Sequence, residues 1–224
     1  SALIVGYAQQ GQGHEALKCF QMMESEGLSP DMVAFTCILK ACGRSGAIHM
    51  GEQIHDKIVA MGLLEKDIVL GNALVDMYAN CRLLDTAKKV FYKLPVRDVI
   101  SWTSLIAKYA EYGQGGEAFK LFEQMRLEGA SPDVVTFVCS LKACAREGTT
   151  DNARVIHGEI HAEIERLGLH NRNFDVGNAL IDMYAKCGAL KEAREVFEQL
   201  PVHDVVSWSA LIAGYAKSGL SDRA

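Results

Sequence analysis

The sequence predicts an all-α fold, a solenoid of stacked helix-turn-helix hairpins. Three observations carry that prediction. The chain repeats itself, its apolar residues fall at helical spacing inside each repeat, and its prolines fall where a second helix should stop. Self-comparison comes first, because a period of a few tens of residues decides the architecture. Gly71-Asn72-Ala73-Leu74-Val75-Asp76-Met77-Tyr78-Ala79 returns as Gly177-Asn178-Ala179-Leu180-Ile181-Asp182-Met183-Tyr184-Ala185. Asp98-Val99-Ile100-Ser101-Trp102 returns as Asp204-Val205-Val206-Ser207-Trp208. Leu39-Lys40-Ala41-Cys42 returns as Leu141-Lys142-Ala143-Cys144, and Ser29-Pro30-Asp31 as Ser131-Pro132-Asp133.

A super-repeat of just over 100 residues thus occurs about twice, and each copy divides into units of about 35, 36 and 31 residues. The predicted units are 1–31, 32–67, 68–98, 99–133, 134–173, 174–204 and 205–224, stacked as a single solenoid. The first and last are shorter than their counterparts, so a fragment of a longer array, cut through a unit at both ends, is expected. No transit-peptide pattern is visible at Ser1.

Within a unit the elements follow in order. Ala73, Leu74, Met77 and Tyr78 make the apolar stripe of a first helix. Asn80-Cys81-Arg82 predicts a short turn, and Asp85 is placed to cap the second helix. Ala87, Val90, Phe91 and Leu94 follow i, i+3, i+4, i+7 along that helix. Pro95 then stops it, as Pro30, Pro132 and Pro201 do in other units. Unit 134–173 is four residues longer than 32–67, with the excess near Glu159–Glu163. Four residues are close to one helical turn, so a longer second helix is expected there. Helical hairpins that bury their apolar faces on their neighbours form a solenoid.

Composition narrows the function classes. The chain has 224 residues, 49% of them apolar and 23% charged, which is globular and argues against disorder. No apolar run approaches the roughly 20 residues of a membrane span. The net charge is −5, so any basic binding surface must be local. The first helices hold seven basic residues (Lys40, Arg44, Lys108, Lys142, Arg146, Lys186, Lys217) against four acidic ones (Asp76, Glu111, Asp175, Asp182), a local excess of three positive charges. Seven cysteines, none in a CxxC pair, read as reduced and mostly buried thiols. No Gly-rich phosphate loop, nucleophile elbow or carboxylate pair appears, so neither an enzyme nor a cofactor is expected.

At this point the resemblance to a known family is specific. Val205-Val206-Ser207-Trp208-Ser209-Ala210-Leu211-Ile212-Ala213-Gly214-Tyr215, Glu117-Ala118-Phe119-Lys120-Leu121-Phe122 and Gly177–Gly188 resemble plant pentatricopeptide repeats (PPR). The alternation of long, long-variant and short units resembles the PLS class of that family. The resemblance implies a right-handed α-solenoid that binds single-stranded RNA, one nucleotide per repeat, 5′ to 3′ from the N-terminal end. It also implies a mitochondrial or chloroplast location, and a part in editing, splicing or stability of organelle transcripts. Helper proteins of RNA editing are implied as further partners, through the long-variant repeats. The alternative is a scaffold whose groove holds a protein partner.

The resemblance assigns base reading to the fifth and last residues of a repeat. Carried over, the pairs are Ser1 with Asp31, Asn72 with Asp98, Thr103 with Asp133 and Asn178 with Asp204, and Ser209 is a fifth-position residue by itself. The long-variant repeats carry Thr36 with Asp67 and Val138 with Asn173, and follow the code poorly. Base sandwiching falls to the second position: Val33, Val69, Ile100, Val135 and Val206, with Asp175 departing from the pattern. Arg44, Arg146, Lys186 and Lys217 are placed to meet phosphates.

The chemistry is intelligible on its own. An ionised carboxylate only accepts hydrogen bonds, so it favours a base with an imino N–H, guanine or uracil. An amide both donates and accepts and suits uracil, while a small hydroxyl leaves room for a purine. The expected register is 5′-G-n-U-G-n-U-purine-3′. A lone Asp before a helix is ordinarily a cap; its recurrence at unit boundaries weighs for reading. His157 and His161, with Glu165 a turn on, have metal-ligand spacing. Exposed helix surface is the preferred reading, and no metal is expected. The repeat-equivalent Cys42 and Cys144, Cys37 and Cys139, and Cys81 and Cys187 are read as small core residues. Tyr7, Tyr78, Tyr109, Tyr184 and Tyr215 share one position and, with Trp102 and Trp208, are read as inter-helix core.

Overall fold

The structure, a computed structural model, describes residues 2–147, 151–152, 154–158 and 174–218. Among them every regular element is an α-helix. They pack as two compact units, residues 1–108 and 109–224. The division falls inside a helix near the junction of the two super-repeat copies.

The first unit contains α1 (Ala2–Gln9), α2 (Gly13–Ser25), α3 (Met32–Ser45), α4 (Ile48–Ala60), α5 (Ile68–Asn80), α6 (Leu84–Lys93) and most of α7 (Val99–Glu111). Helix α3 packs on both α1 and α5, so the first helices form one layer. Helix α2 packs against α1 and α3, and α4 against α3 and α5. Each second helix therefore fills the space between its own first helix and the next. Ile38, Leu39, Ile54, Ile58, Leu74 and Met77 meet in this interior and are fully buried. Truncating one such side chain to alanine typically costs about 2–5 kcal/mol.

The second unit holds the rest of α7, then α8 (Gly115–Leu127), α9 (Val134–Glu147) and a helical stretch at 154–158. Helices α10 (Phe174–Lys186), α11 (Leu190–Gln199) and α12 (Val205–Lys217) follow. Helix α9 packs on α10 and α10 on α12, again a layer of first helices, with α8 against α9 and α11 against α10 and α12. The layer is close-packed at Gly214, where a Cβ would lie 2.7 Å from the Cβ of Ala185 in α10. The predicted insertion near Glu159–Glu163 lies outside the described residues.

Two local expectations change. Asp85 does not cap α6. Leu83 occupies the cap position with no side-chain bond, and Asp85 sits in the first turn, where its charge complements the helix dipole. The turn before it is tight because Arg82 is left-handed (φ 63°), the conformation that Gly188 supplies at the equivalent place (φ 76°). Trp102 is fully buried edge-on against Phe91 at 4.6 Å. Trp208 makes the same contact with Phe197 at 4.7 Å but remains 48% exposed, unlike the core residue expected. It sits on α12, the last described helix, and is covered from the α11 side.

Tyr78, Tyr109, Tyr184 and Tyr215 are buried in the inter-helix core, and Tyr7 is half-buried. Tyr78 and Tyr184 bring a partner that sequence reasoning missed. Each hydroxyl lies 2.9 Å from a histidine Nδ1, of His55 and His157 respectively, with the rings edge-on at 5.6 Å. His157 is thus a half-buried hydrogen-bonding residue rather than exposed helix surface. Burial pushes both Tyr78 and Tyr184 up to about 12.

Candidate functional site

The last residue of a repeat stands just before the next first helix, where four backbone N–H groups have no intrahelical partner. A short carboxylate satisfies them, and the structure uses every described last-position aspartate this way. Asp31 accepts from Ala34 N at 2.7 Å, Asp67 from Val69 N at 2.8 Å, and Asp204 from Ser207 N at 2.8 Å. Asp98 accepts from Ser101 N and Asp133 from Thr136 N, each at 2.8 Å. Capping and reading are therefore not alternatives. A carboxylate has two oxygens, and capping uses one of them while fixing the direction of the other.

The second oxygen meets the fifth residue. Asn178 Nδ2 donates to Asp204 Oδ2 at 3.1 Å, while Asp204 Oδ1 holds the cap. Asn72 likewise donates to Asp98. Two of the sequence-predicted reading pairs are thus in contact, and in both the amide nitrogen faces the acid. This leaves the amide oxygen as an acceptor, and Asn72 Oδ1 is shielded from solvent with no partner among the described residues. Burial works to raise Asp98, but bonds from Ser101 and Asn72 outweigh it and hold the carboxyl below its ordinary value. Asp204 is held low first by the Ser207 N–H and also by Asn178. Both are therefore ionised acceptors at neutral pH.

Other predicted readers are placed differently. Ser1 lies outside the described residues, as does Asn173. Thr103 is only 9% exposed, in the first unit, whereas Ser209 is exposed. Beside the reading positions, the second-position side chains Val33, Val69, Ile100, Val135 and Val206 are all 56–66% exposed. Branched apolar groups held out of the core at one repeat position form small platforms in each unit, the kind of surface on which a flat ring is buried.

The predicted phosphate contacts are less free than the sequence implies. Arg44 Nη2 donates to the Ala8 carbonyl at 2.8 Å, and Arg146 Nη1 to the carbonyls of Ala110 (2.9 Å) and Glu111. These guanidiniums cap the carboxyl end of the preceding first helix, where the dipole favours a cation. Lys186 pairs with Asp182 at 2.6 Å. Asp76, the counterpart of Asp182, is pushed up by burial against the opposing pull of Lys108 and Lys40. Acids within the layer therefore offset much of the basic excess.

Sequence reasoning also passed over the third residue of the following repeat. Ser101 Oγ donates to Asp98 Oδ1 at 2.6 Å and Thr136 Oγ1 to Asp133 Oδ1 at 2.7 Å, and both hydroxyls are buried. The signal was present as Asp-x-x-Ser/Thr at three unit boundaries. Among the described residues no group of three His, Cys, Asp or Glu is placed to hold an ion, and His161 and Glu165 lie outside them. No described helix is long and apolar enough to cross a membrane.

Stacked hairpins with recurrent polar pairs at the hairpin ends define a helical-repeat protein. The PPR repeat family matches residues 1–44 and 97–146, and the PPR repeat matches 33–63, 72–99, 178–205 and 206–224. The chain belongs to the pentatricopeptide repeat family. It is 38% identical over 99% of its length to the mitochondrial pentatricopeptide repeat-containing protein At3g09040 of Arabidopsis thaliana, covering 21% of that protein. It is 36% identical over 98% of its length to the chloroplastic protein At4g18520 of the same plant, covering 34% of it. The chain thus spans about a fifth to a third of the curated relatives it matches. Among solved structures it resembles the maize pentatricopeptide repeat protein PPR10, with TM-score 0.56 and 20% identity over 99% of this chain and 36% of that one. The same protein in complex with an 18-nt psaJ RNA element gives TM-score 0.52 at 19% identity, over 99% of this chain and 38% of that one.

Proposed function

We propose that this chain binds single-stranded RNA along its layers of first helices, about one base per repeat, in an organelle. The observation that carries the reading is the Asn–Asp contact beside an exposed apolar platform. Asn178 and Asp204 sit 3.1 Å apart next to Val206, and the Asn72–Asp98 pair recurs beside Ile100. Such a pair presents an ionised acceptor for the imino N–H of uracil, and the amide nitrogen, with one hydrogen on the aspartate, keeps a second to donate to a flanking carbonyl. The apolar platforms supply sequence-independent burial of the base, and the polar pair supplies the choice. Resemblance to RNA-bound PPR10 and relatives named mitochondrial or chloroplastic support the same reading.

In chain order the bases are 5′-G-n-U-G-n-U-purine-3′, with n at the long-variant repeats. Ser1 and Thr103 with their aspartates take guanine, Asn72 and Asn178 take uracil, and Ser209 takes a purine. Lys186 and Lys217 meet phosphates. The repeats follow the PLS order 1–31, 32–67, 68–98, 99–133, 134–173, 174–204 and 205–224, and the whole protein serves editing, splicing or stability of organelle transcripts. Long-variant repeats receive editing helper proteins. Competition binding of the heptamer, its single-base variants and its duplex tests the assignment. Preference for the single strand with uracil at the third and sixth bases is expected. Equal binding of all sequences and of duplex would instead indicate a scaffold.

A further inference from the structure

The third residue of the following repeat holds the reading carboxylate in two different ways. At Asp98 and Asp133 the hold is reciprocal. Ser101 sends both its N–H (2.8 Å) and its Oγ–H (2.6 Å) to Asp98 Oδ1, while Asp98 N donates back to Ser101 Oγ at 3.2 Å. Thr136 does the same to Asp133, with 2.8, 2.7 and 3.3 Å. At Asp204 the hydroxyl points elsewhere. Ser207 Oγ donates to the Asp204 backbone carbonyl at 2.9 Å, and the short bond on Asp204 Oδ1 comes from the Ser207 N–H at 2.8 Å. Ser101, Thr136 and Ser207 are all buried, so these hydroxyls have few other partners to choose from.

We propose that Ser101 and Thr136 are positioning residues of base recognition: their hydroxyls lock the carboxylate of the preceding repeat and sharpen its choice of base. The inference rests on the one-base-per-repeat reading proposed above. A donor pair on Oδ1 fixes the carboxylate plane and with it the direction of Oδ2, which the fifth residue and the base edge share. It also favours the ionised, acceptor-only form, which repels the lone pair of cytosine or adenine. A carboxylate that lacks the reciprocal hydroxyl hold swings more readily and tolerates the wrong edge. The repeats ending at Asp98 and Asp204 carry the same Asn–Asp pair, so they should both choose uracil, but with different stringency.

The test is competition binding with the heptamer carrying uracil or cytosine at the third or the sixth base. The uracil-to-cytosine ratio should be about three- to tenfold larger at the third base, the net worth of about one ordinary hydrogen bond. Ser101→Ala should bring the third-base ratio down to that of the sixth, and Ser101→Thr should keep it, since threonine already fills this role at position 136. Ser101→Ala should also lose its uracil preference at a higher pH on acidification, which a purely structural role would not produce. As an independent variant, Thr136→Ala should relax guanine over adenine at the fourth base. An unchanged third-base ratio in Ser101→Ala, or uniform weakening of every sequence, overturns the inference while leaving the reading intact. A parent chain with no uracil preference at either base overturns the reading and this inference with it.

Discussion

The paired His55 and Tyr78 make stability depend on pH at the two ends of the range, His55 on the mildly acidic side and Tyr78 on the alkaline side. Burial lowers His55 from its ordinary 6.5, with Lys93 adding to the effect and Asp56 opposing it. The neutral ring is therefore the folded form. Its contribution is complete above pH 6.5 and is lost as pH falls from there through the lower folded value. Tyr78 is raised from 10.0 to about 12 by burial, so its contribution is complete below pH 10 and is lost as pH rises toward 12. The melting temperature should fall on both sides, and His55→Gln should flatten the acid limb alone. An acid limb equally steep in His55→Gln would assign it to other groups. The capping carboxylates act lower still: Asp98 and Asp204 are held below 3.8, so their share is lost only as pH falls through that region. At this scale the sequence was half legible. The aspartates could be singled out by recurrence, but their double use depends on which oxygen faces which donor, and spacing does not reveal that. His55 and His157 could be aligned, yet nothing in the pattern said that tyrosines from the next helix would meet them.

Among the helices, two predictions separate packing from binding. Gly214→Ala places a methyl 2.7 Å from the Cβ of Ala185, with backbone behind it, so α12 and α10 must move apart. Overpacking of this kind costs about 1–3 kcal/mol, to be read from urea unfolding; an unchanged midpoint would mean that the layer is looser than described. Arg44→Ala removes the donor to Ala8 and should destabilise by about 1–3 kcal/mol, while leaving the salt dependence of RNA binding nearly unchanged. A smaller salt slope with unchanged stability would return Arg44 to the phosphates. Helix positions were legible because apolar spacing, proline stops and repeat alignment agree. Asp85 misled because a polar residue near a helix start does not say whether it precedes the helix or sits inside its first turn. The carbonyl contacts of Arg44 and Arg146 were not legible, because charge alone does not show that a long side chain reaches back to the previous hairpin.

The molecule as a whole was the most legible, since two copies of a super-repeat can be compared inside one chain and only a stack of hairpins buries their stripes. The net binding strength was less so. Pairing of Lys186 with Asp182, and capping by Arg44 and Arg146, leaves few free cations along the layers. The slope of log affinity against log salt is therefore expected near −1.4, about two phosphates on a single strand; a slope several times steeper would show that the engaged arginines release their carbonyls on binding. The central claim is that the fifth and last residues choose the base. It is tested most directly by Asn178→Ser with Asp204→Asn. Asparagine keeps an oxygen for the Ser207 N–H, so the cap on α12 survives while the acceptor-only group is replaced by one that donates. Competition with single-base variants of the heptamer should then show preference at the sixth base moving from uracil to adenine by about 1–3 kcal/mol, with the first, third and fourth bases unchanged. Uniform weakening with no change in base preference would contradict the account.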